Sequence, residues 1–122
     1  MVEDPTILYV QTHGTDEMPK AATPFYLATA AAAMDMEVSI YFTMLGPSLL
    51  RKDSGELTVK DGGAALSTFI DQAQGIGVRF LVCQPSLDLN DLKMEDLIDG
   101  VEMIGGAAFN EMAAEADAVI SF

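Results

Sequence analysis

Five short apolar runs punctuate the chain, separated by polar or amphipathic stretches too long to be hairpin turns. The runs are Thr6–Val10, Glu37–Thr43, Val78–Val82, Gly100–Ile104 and Ala118–Phe122, and their β-branched and aromatic content reads as strands. Pro5 marks the start of the first. Pro85, which cannot donate to a ladder, ends the third just after Cys83. Gln84, preceding a proline, is biased towards extended backbone, so the chain is expected to turn through Pro85 and Ser86 into a polar loop.

The intervening stretches read as helices and loops. One helix ends near Met34. It starts either at Pro19, with a kink at Pro24, or at Pro24 behind a Thr23 cap. Its segment Phe25–Met34 is alanine-rich and apolar on nearly every side, which predicts packing against the sheet or a neighbouring subunit. A helical turn over Ser48–Arg51 leads into a surface loop, Lys52–Gly63. An amphipathic helix over Ala64–Ala73 carries Leu66, Phe69, Ile70 and Ala73 on one face. Beyond Cys83, a loop through Leu87–Asn90 and a short helix from about Asp91 to Asp99 are expected, with Leu92 and Ile98 turned inward. Gly105–Gly106 opens a last helix, Ala107–Glu115.

Strands alternating with long crossovers predict an α/β fold: a five-stranded parallel sheet with right-handed connections and helices on both faces. The pattern leaves the strand order open. A parallel sheet nevertheless puts every carboxyl end on one edge, so His13, Thr43–Gly46, Cys83 and Gly105 are expected on a common rim. No repeat, linker or low-complexity segment interrupts the 122 residues, which read as a single domain, 1–122.

Charge narrows the function. Six Lys and Arg against nineteen Asp and Glu give a net charge of −13, too few cations for a broad basic patch. Nucleic-acid and anionic-membrane binding are therefore disfavoured. The acidity serves solubility or steers a basic protein partner. No long uncharged apolar run suggests a membrane span, and the acidic start lacks the layout of a signal peptide. With a single cysteine no intrachain disulfide forms, so a cytoplasmic protein with a free thiol is expected.

That thiol is the leading candidate for chemistry. Cys83 falls at the carboxyl end of a strand, where α/β proteins place their sites. It reads either as a nucleophile or as a small buried hydrophobe. Backbone N–H groups of the Gln84–Ser86 turn, or a helix start near Asp91, would favour its thiolate; Asp88 and Asp91 would oppose it if turned inward. Ser86, His13 and Lys93 are the supporting candidates. His13 pairs with the thiolate, meets the substrate, or only caps its loop. Lys93 holds the thiolate, meets a partner's carboxylate, or is a solvated helix residue. Gly105–Gly106 lacks the pattern of a phosphate loop and reads as close helix–strand packing. The eight methionines read as core filling. A lone His and a lone Cys make no zinc site, and no carboxylate pair stands out as an acid/base couple. No metal and no organic cofactor is expected.

Four stretches, in this order and spacing, resemble the DsrE/DsrF-like, TusD-related sulfur-relay family. They are Thr12–Asp16 with Pro19 and Ala22; Val82–Cys83 with Ser86–Leu87; Asp96–Glu102; and Glu115–Phe122. The resemblance implies a flavodoxin-like subunit assembled into homotrimers or homohexamers. It also implies a cysteine, matching Cys83, that carries sulfane sulfur as a persulfide between a donor and an acceptor protein. On that reading the protein is a sulfurtransferase or persulfide carrier. Some members have a second cysteine where this chain has Lys93, so two-cysteine chemistry within one subunit is excluded. The competing class is a non-catalytic module of the same fold, binding a small ligand or partner beside an incidental cysteine. A thiol redox sensor is a third reading, limited to an intersubunit disulfide.

Overall fold

The computed structural model describes residues 4–122; residues 1–3 of the acidic start lie outside it. Five strands form one sheet: β1 Thr6–Gln11, β2 Glu37–Phe42, β3 Arg79–Val82, β4 Val101–Met103 and β5 Ala118–Ser121. Their order is β4-β3-β2-β1-β5, and every neighbouring pair is parallel. Four α-helices connect or follow them: α1 Ala22–Ala33, α2 Leu66–Gly75, α3 Gln84–Leu89 and α4 Gly106–Glu115. The predicted α/β architecture is thus the observed one, with its carboxyl ends on one rim.

The alternation of side chains along the strands builds two unequal apolar layers. Tyr9, Ile40, Phe42, Phe80 and Val82 face α1 and α2, which contribute Phe25, Ala28 and Ala31, and Leu66, Ile70 and Ala73. The rings of Phe25, Phe42 and Phe80 meet with centroids 5.4 to 5.7 Å apart, a contact aromatic quadrupoles favour at these tilts. Each ring is fully buried, so truncation of one costs roughly 3–5 kcal/mol. On the other face Leu8, Tyr41, Leu81 and Cys83 pack with Val10 and with Phe109, Met112 and Ala113 of α4. This layer is thin: α4 has no buried residue, and all four residues of β5 are exposed.

Two sequence expectations are corrected. The short helix expected over Asp91–Asp99 is only a 3-10 turn, Met94–Asp96, and the helix stands earlier, at Gln84–Leu89. Pro85 sits in the first turn of that helix, where a missing N–H costs nothing, so it starts an element rather than ending one. Asp91, with φ of 53°, breaks the helical backbone at its other end. Leu92 is nonetheless buried and Ile98 packs against the core, as expected. The second correction concerns α1, which begins at neither proline but at Ala22, with Ala21 as its N-cap in place of Thr23: Pro19 belongs to a preceding 3-10 turn, Thr15–Lys20, and Pro24 lies in the first helical turn.

Close backbone approach fixes the rim. A side chain at Gly46 would collide with the carbonyl of Gln11, and one at Gly14 with Leu45 and Ser48. Glycine at these points lets the loops after β1 and β2 interlock. Among the described residues, no helix is long and apolar enough to cross a membrane.

Candidate functional site

Cys83 directly follows β3 and is the N-cap of α3. The register Phe42↔Val82 sets Thr43 beside Cys83, and Tyr41↔Leu81 puts Tyr41 on the same face of the sheet. Ser86, in the first turn of α3, turns back to the sulfur, with Oγ 3.0 Å from Cys83 Sγ. Its oxygen is also 3.0 Å from Thr43 Oγ1 and accepts the Met44 N–H at 3.1 Å. A strand end, a loop and a helix start thereby converge on one sulfur atom.

The electrostatics follow from these contacts. Burial pushes the Cys83 thiol up, since its residue is only 8% exposed. The dipoles of the Ser86 hydroxyl, then the Tyr41 hydroxyl, the Ser86 backbone and the nearby Thr43 hydroxyl push it down by more, and the net position is below the ordinary thiol. Tyr41 responds in the opposite sense. Burial, then its hydrogen bond to Cys83 and the sulfur's charge, raise its hydroxyl to about 12, with Thr43 working the other way. Tyr41 therefore keeps its proton at neutral pH and adds no charge beside the sulfur. Met44 carries φ of 53° beside the site, a left-handed conformation that costs a residue with a Cβ about 1–2 kcal/mol.

Beside the sulfur opens a pocket of about 440 Å³, walled by Tyr41, Cys83, the Gln84–Pro85 start of α3, Met103–Ile104 and the Gly105–Gly106 turn. None of these walls is a charged side chain. Its volume is in the range of small-molecule sites and far exceeds one sulfur atom. Among the described residues, no three His, Cys, Asp or Glu side chains gather to hold a metal ion.

Of the supporting candidates, only Ser86 meets Cys83. His13 is on the same rim but after β1, and β2 stands between β1 and β3, so two strand spacings, about 10 Å, separate the strand ends. Its ring turns to its own loop, with Nε2 3.3 Å from Glu17 and Nδ1 3.3 Å from Thr12 Oγ1. Its carbonyl accepts a 2.7 Å hydrogen bond from Gln11 Nε2, which also donates to the Lys20 carbonyl. Lys93 is exposed ahead of the 3-10 turn, where its N–H bonds Asp96, and it does not line the cysteine pocket. Asp88 is exposed and accepts from Gln84, and Asp91 is exposed as well. Sequence reasoning missed Tyr41 and the part Thr43 plays. Their spacing of two at the end of β2 was visible, but only the β2–β3 pairing brings them to the sulfur.

Fold and site together define a parallel α/β subunit with a hydrogen-bonded thiol at its carboxyl rim. Residues 6–122 match the DsrE/DsrF-like family, and the chain belongs to it. It is 28% identical, over 156 residues covering 95% of this chain and 97% of the other, to the sulfur carrier protein DsrE2 of Allochromatium vinosum. The crystal structure of the ychN protein from E. coli superposes with a TM-score of 0.74 at 16% identity, covering 98% of this chain and all of that one. A protein of unknown function from Methanobacterium thermoautotrophicum gives 0.66 at 17%, with the same coverage. Both structures share the fold.

Proposed function

We propose that this protein is a sulfur carrier in which Cys83 holds sulfane sulfur as a persulfide between a donor and an acceptor protein. The observation that carries this reading is the 3.0 Å contact of Cys83 Sγ with Ser86 Oγ at the edge of an open pocket. Sulfur transfer needs a thiolate and room for one more sulfur, and neither a metal nor an organic cofactor. The similarity to a protein named as a sulfur carrier supports the same chemistry. The pocket has space for a segment of the partner around the transferred atom, which fits protein donors and acceptors rather than a small donor alone. We further infer one domain over 1–122, a cytoplasmic location that keeps the lone thiol reduced, and a homotrimer or homohexamer. The thin cover over α4 and β5, with Val119 and Ile120 exposed, favours such assembly.

Intact-mass spectrometry after treatment with polysulfide, or with a persulfide on a second protein, tests the proposal. A gain of one sulfur mass that maps to Cys83 is expected. A second reading, a non-catalytic binding module, is favoured by the low exposure of Cys83 and by the size of the apolar pocket. A native protein whose Cys83 resists both polysulfide and alkylation would establish that reading instead.

A further inference from the structure

Asn90 caps the end of α3, and its side-chain NH2 donates to two backbone carbonyls, those of Met44 and Ser86, each at 2.6 Å. Met44 is the residue with left-handed backbone beside the site, and its N–H is the one that reaches Ser86 Oγ. Asn90 therefore ties the loop after β2 to α3 at the peptide groups flanking the Ser86 hydroxyl.

A serine hydroxyl has one proton to give and two lone pairs to fill. The Met44 N–H occupies one lone pair of Ser86. The hydroxyls of Thr43 and Ser86 and the Cys83 sulfur form a row with two 3.0 Å contacts. When Cys83 is a thiolate, its sulfur only accepts. The Ser86 proton then goes to the sulfur, and the Thr43 proton goes to the second lone pair of Ser86. Every place on the Ser86 oxygen is filled, and the row has a single direction.

We propose that Asn90 is a positioning residue for Cys83: by holding Met44 in its left-handed conformation it aims the Met44 N–H at Ser86 and commits the Ser86 proton to the sulfur. This rests on the sulfur-carrier reading, in which both half-reactions leave or use charge on Sγ. On loading, the Cys83 thiolate attacks the outer sulfur of a donor persulfide. A new S–S bond forms, the donor's S–S bond breaks, and its electron pair departs on the donor thiolate. On unloading, an acceptor thiolate attacks the outer sulfur and the pair returns to Cys83. No oxidant or reductant is consumed.

The test is the pH dependence of Cys83 alkylation by iodoacetamide in the native protein, for wild type, Asn90→Ala and Asn90→Ala/Met44→Gly. Loss of Asn90 is expected to move the profile upward by about half to one pH unit, or about 3- to 10-fold slower reaction near neutrality. Glycine adopts the left-handed backbone freely, and Met44 is largely exposed, so the second change is expected to recover at least half of that loss. A purely structural Asn90 lowers the melting temperature without moving the profile. An unmoved profile, or a double variant no better than the single one, overturns the proposal. Should Asn90→Ala lack a cooperative melt, Asn90→Ser, which keeps a donor at the cap, is measured with the same criteria and a smaller expected shift. Alkylation needs no sulfur transfer. A shifted profile with no sulfur mass gain therefore sinks the carrier reading and leaves the wiring intact, and the reverse pair of results does the opposite.

Discussion

The rings of Tyr41 and Phe109 lie with centroids 4.3 Å apart and planes inclined by 31°. This contact joins the strand beside Cys83 to α4, a helix that buries no residue of its own. The stack holds the Tyr41 ring in the pocket wall, where its hydroxyl can serve the sulfur. Tyr41→Phe keeps the ring and removes only the donor. Native Cys83 alkylation near neutral pH is expected to slow by about 2- to 5-fold, with the melting temperature nearly unchanged. An alkylation rate equal to that of wild type would show that Tyr41 does not hold the thiolate.

The two titrations at the site give opposite signs in separate pH windows. Cys83 is lowered from 9.0, so the folded chain binds fewer protons than the unfolded chain between the folded value and 9.0. Its contribution to stability is complete above pH 9.0 and is lost as pH falls through the folded value. Tyr41 is raised from 10.0 to about 12, so the unfolded chain ionises first and stability falls as pH rises from about 10 to about 12. Urea unfolding of wild type and Cys83→Ser measures both. The rise towards pH 9.0 is expected to vanish in the variant, whereas the high-pH fall, from which the sulfur's own effect on Tyr41 is gone, is expected to be reduced but present.

The strands were legible because a parallel sheet covered on both faces leaves a concentrated apolar signature, as in Val38–Phe42 and Phe80–Val82. Parallelism alone then put His13 and Cys83 on one rim. Adjacency was not legible. Nothing in the spacing of residues says that β2 lies between β1 and β3, and that single fact separates His13 from the sulfur while delivering Tyr41 and Thr43 to it. Pro85 misled for a different reason. Proline is a breaker inside a helix and an opener in its first turn, and only the three-dimensional path after Cys83 decides between them.

His13 is expected to be dispensable for sulfur loading. Its ring pairs with Glu17 at 3.3 Å where both side chains are partly open to water, so the pair is worth roughly 0.2–1 kcal/mol. His13→Ala should lower stability by about that amount and leave the rate of sulfur uptake per folded molecule within about 2-fold of wild type. A larger fall in uptake, measured by intact mass over time, would bring the β1 loop back into the site.

The proposed homo-oligomer is tested at the exposed edge of the sheet. Val119 and Ile120 are exposed on β5, the last strand of the sheet, at an edge that a second copy could cover. Sedimentation velocity is expected to show three or six subunits, and Ile120→Asp is expected to lower that number without unfolding the chain. A monomer at every concentration tested would overturn this expectation.

Cys83→Ser separates carriage from every other function of the fold. The replacement is close to isosteric at a residue whose neighbours are hydroxyls, so the sheet order and the melting temperature should hold, with a change of about 1 kcal/mol or less. The thiol is the only one in the chain, so no other sulfur can accept the load. Serine cannot form a persulfide, and after polysulfide treatment the variant should show no added sulfur mass. Wild type loaded in parallel should release its sulfur to a reduced acceptor thiol, with Cys83 recovered free and alkylatable. If the variant gains sulfur, the load is not on Cys83. If wild type gains sulfur but never releases it, the pocket is a place of modification rather than of relay.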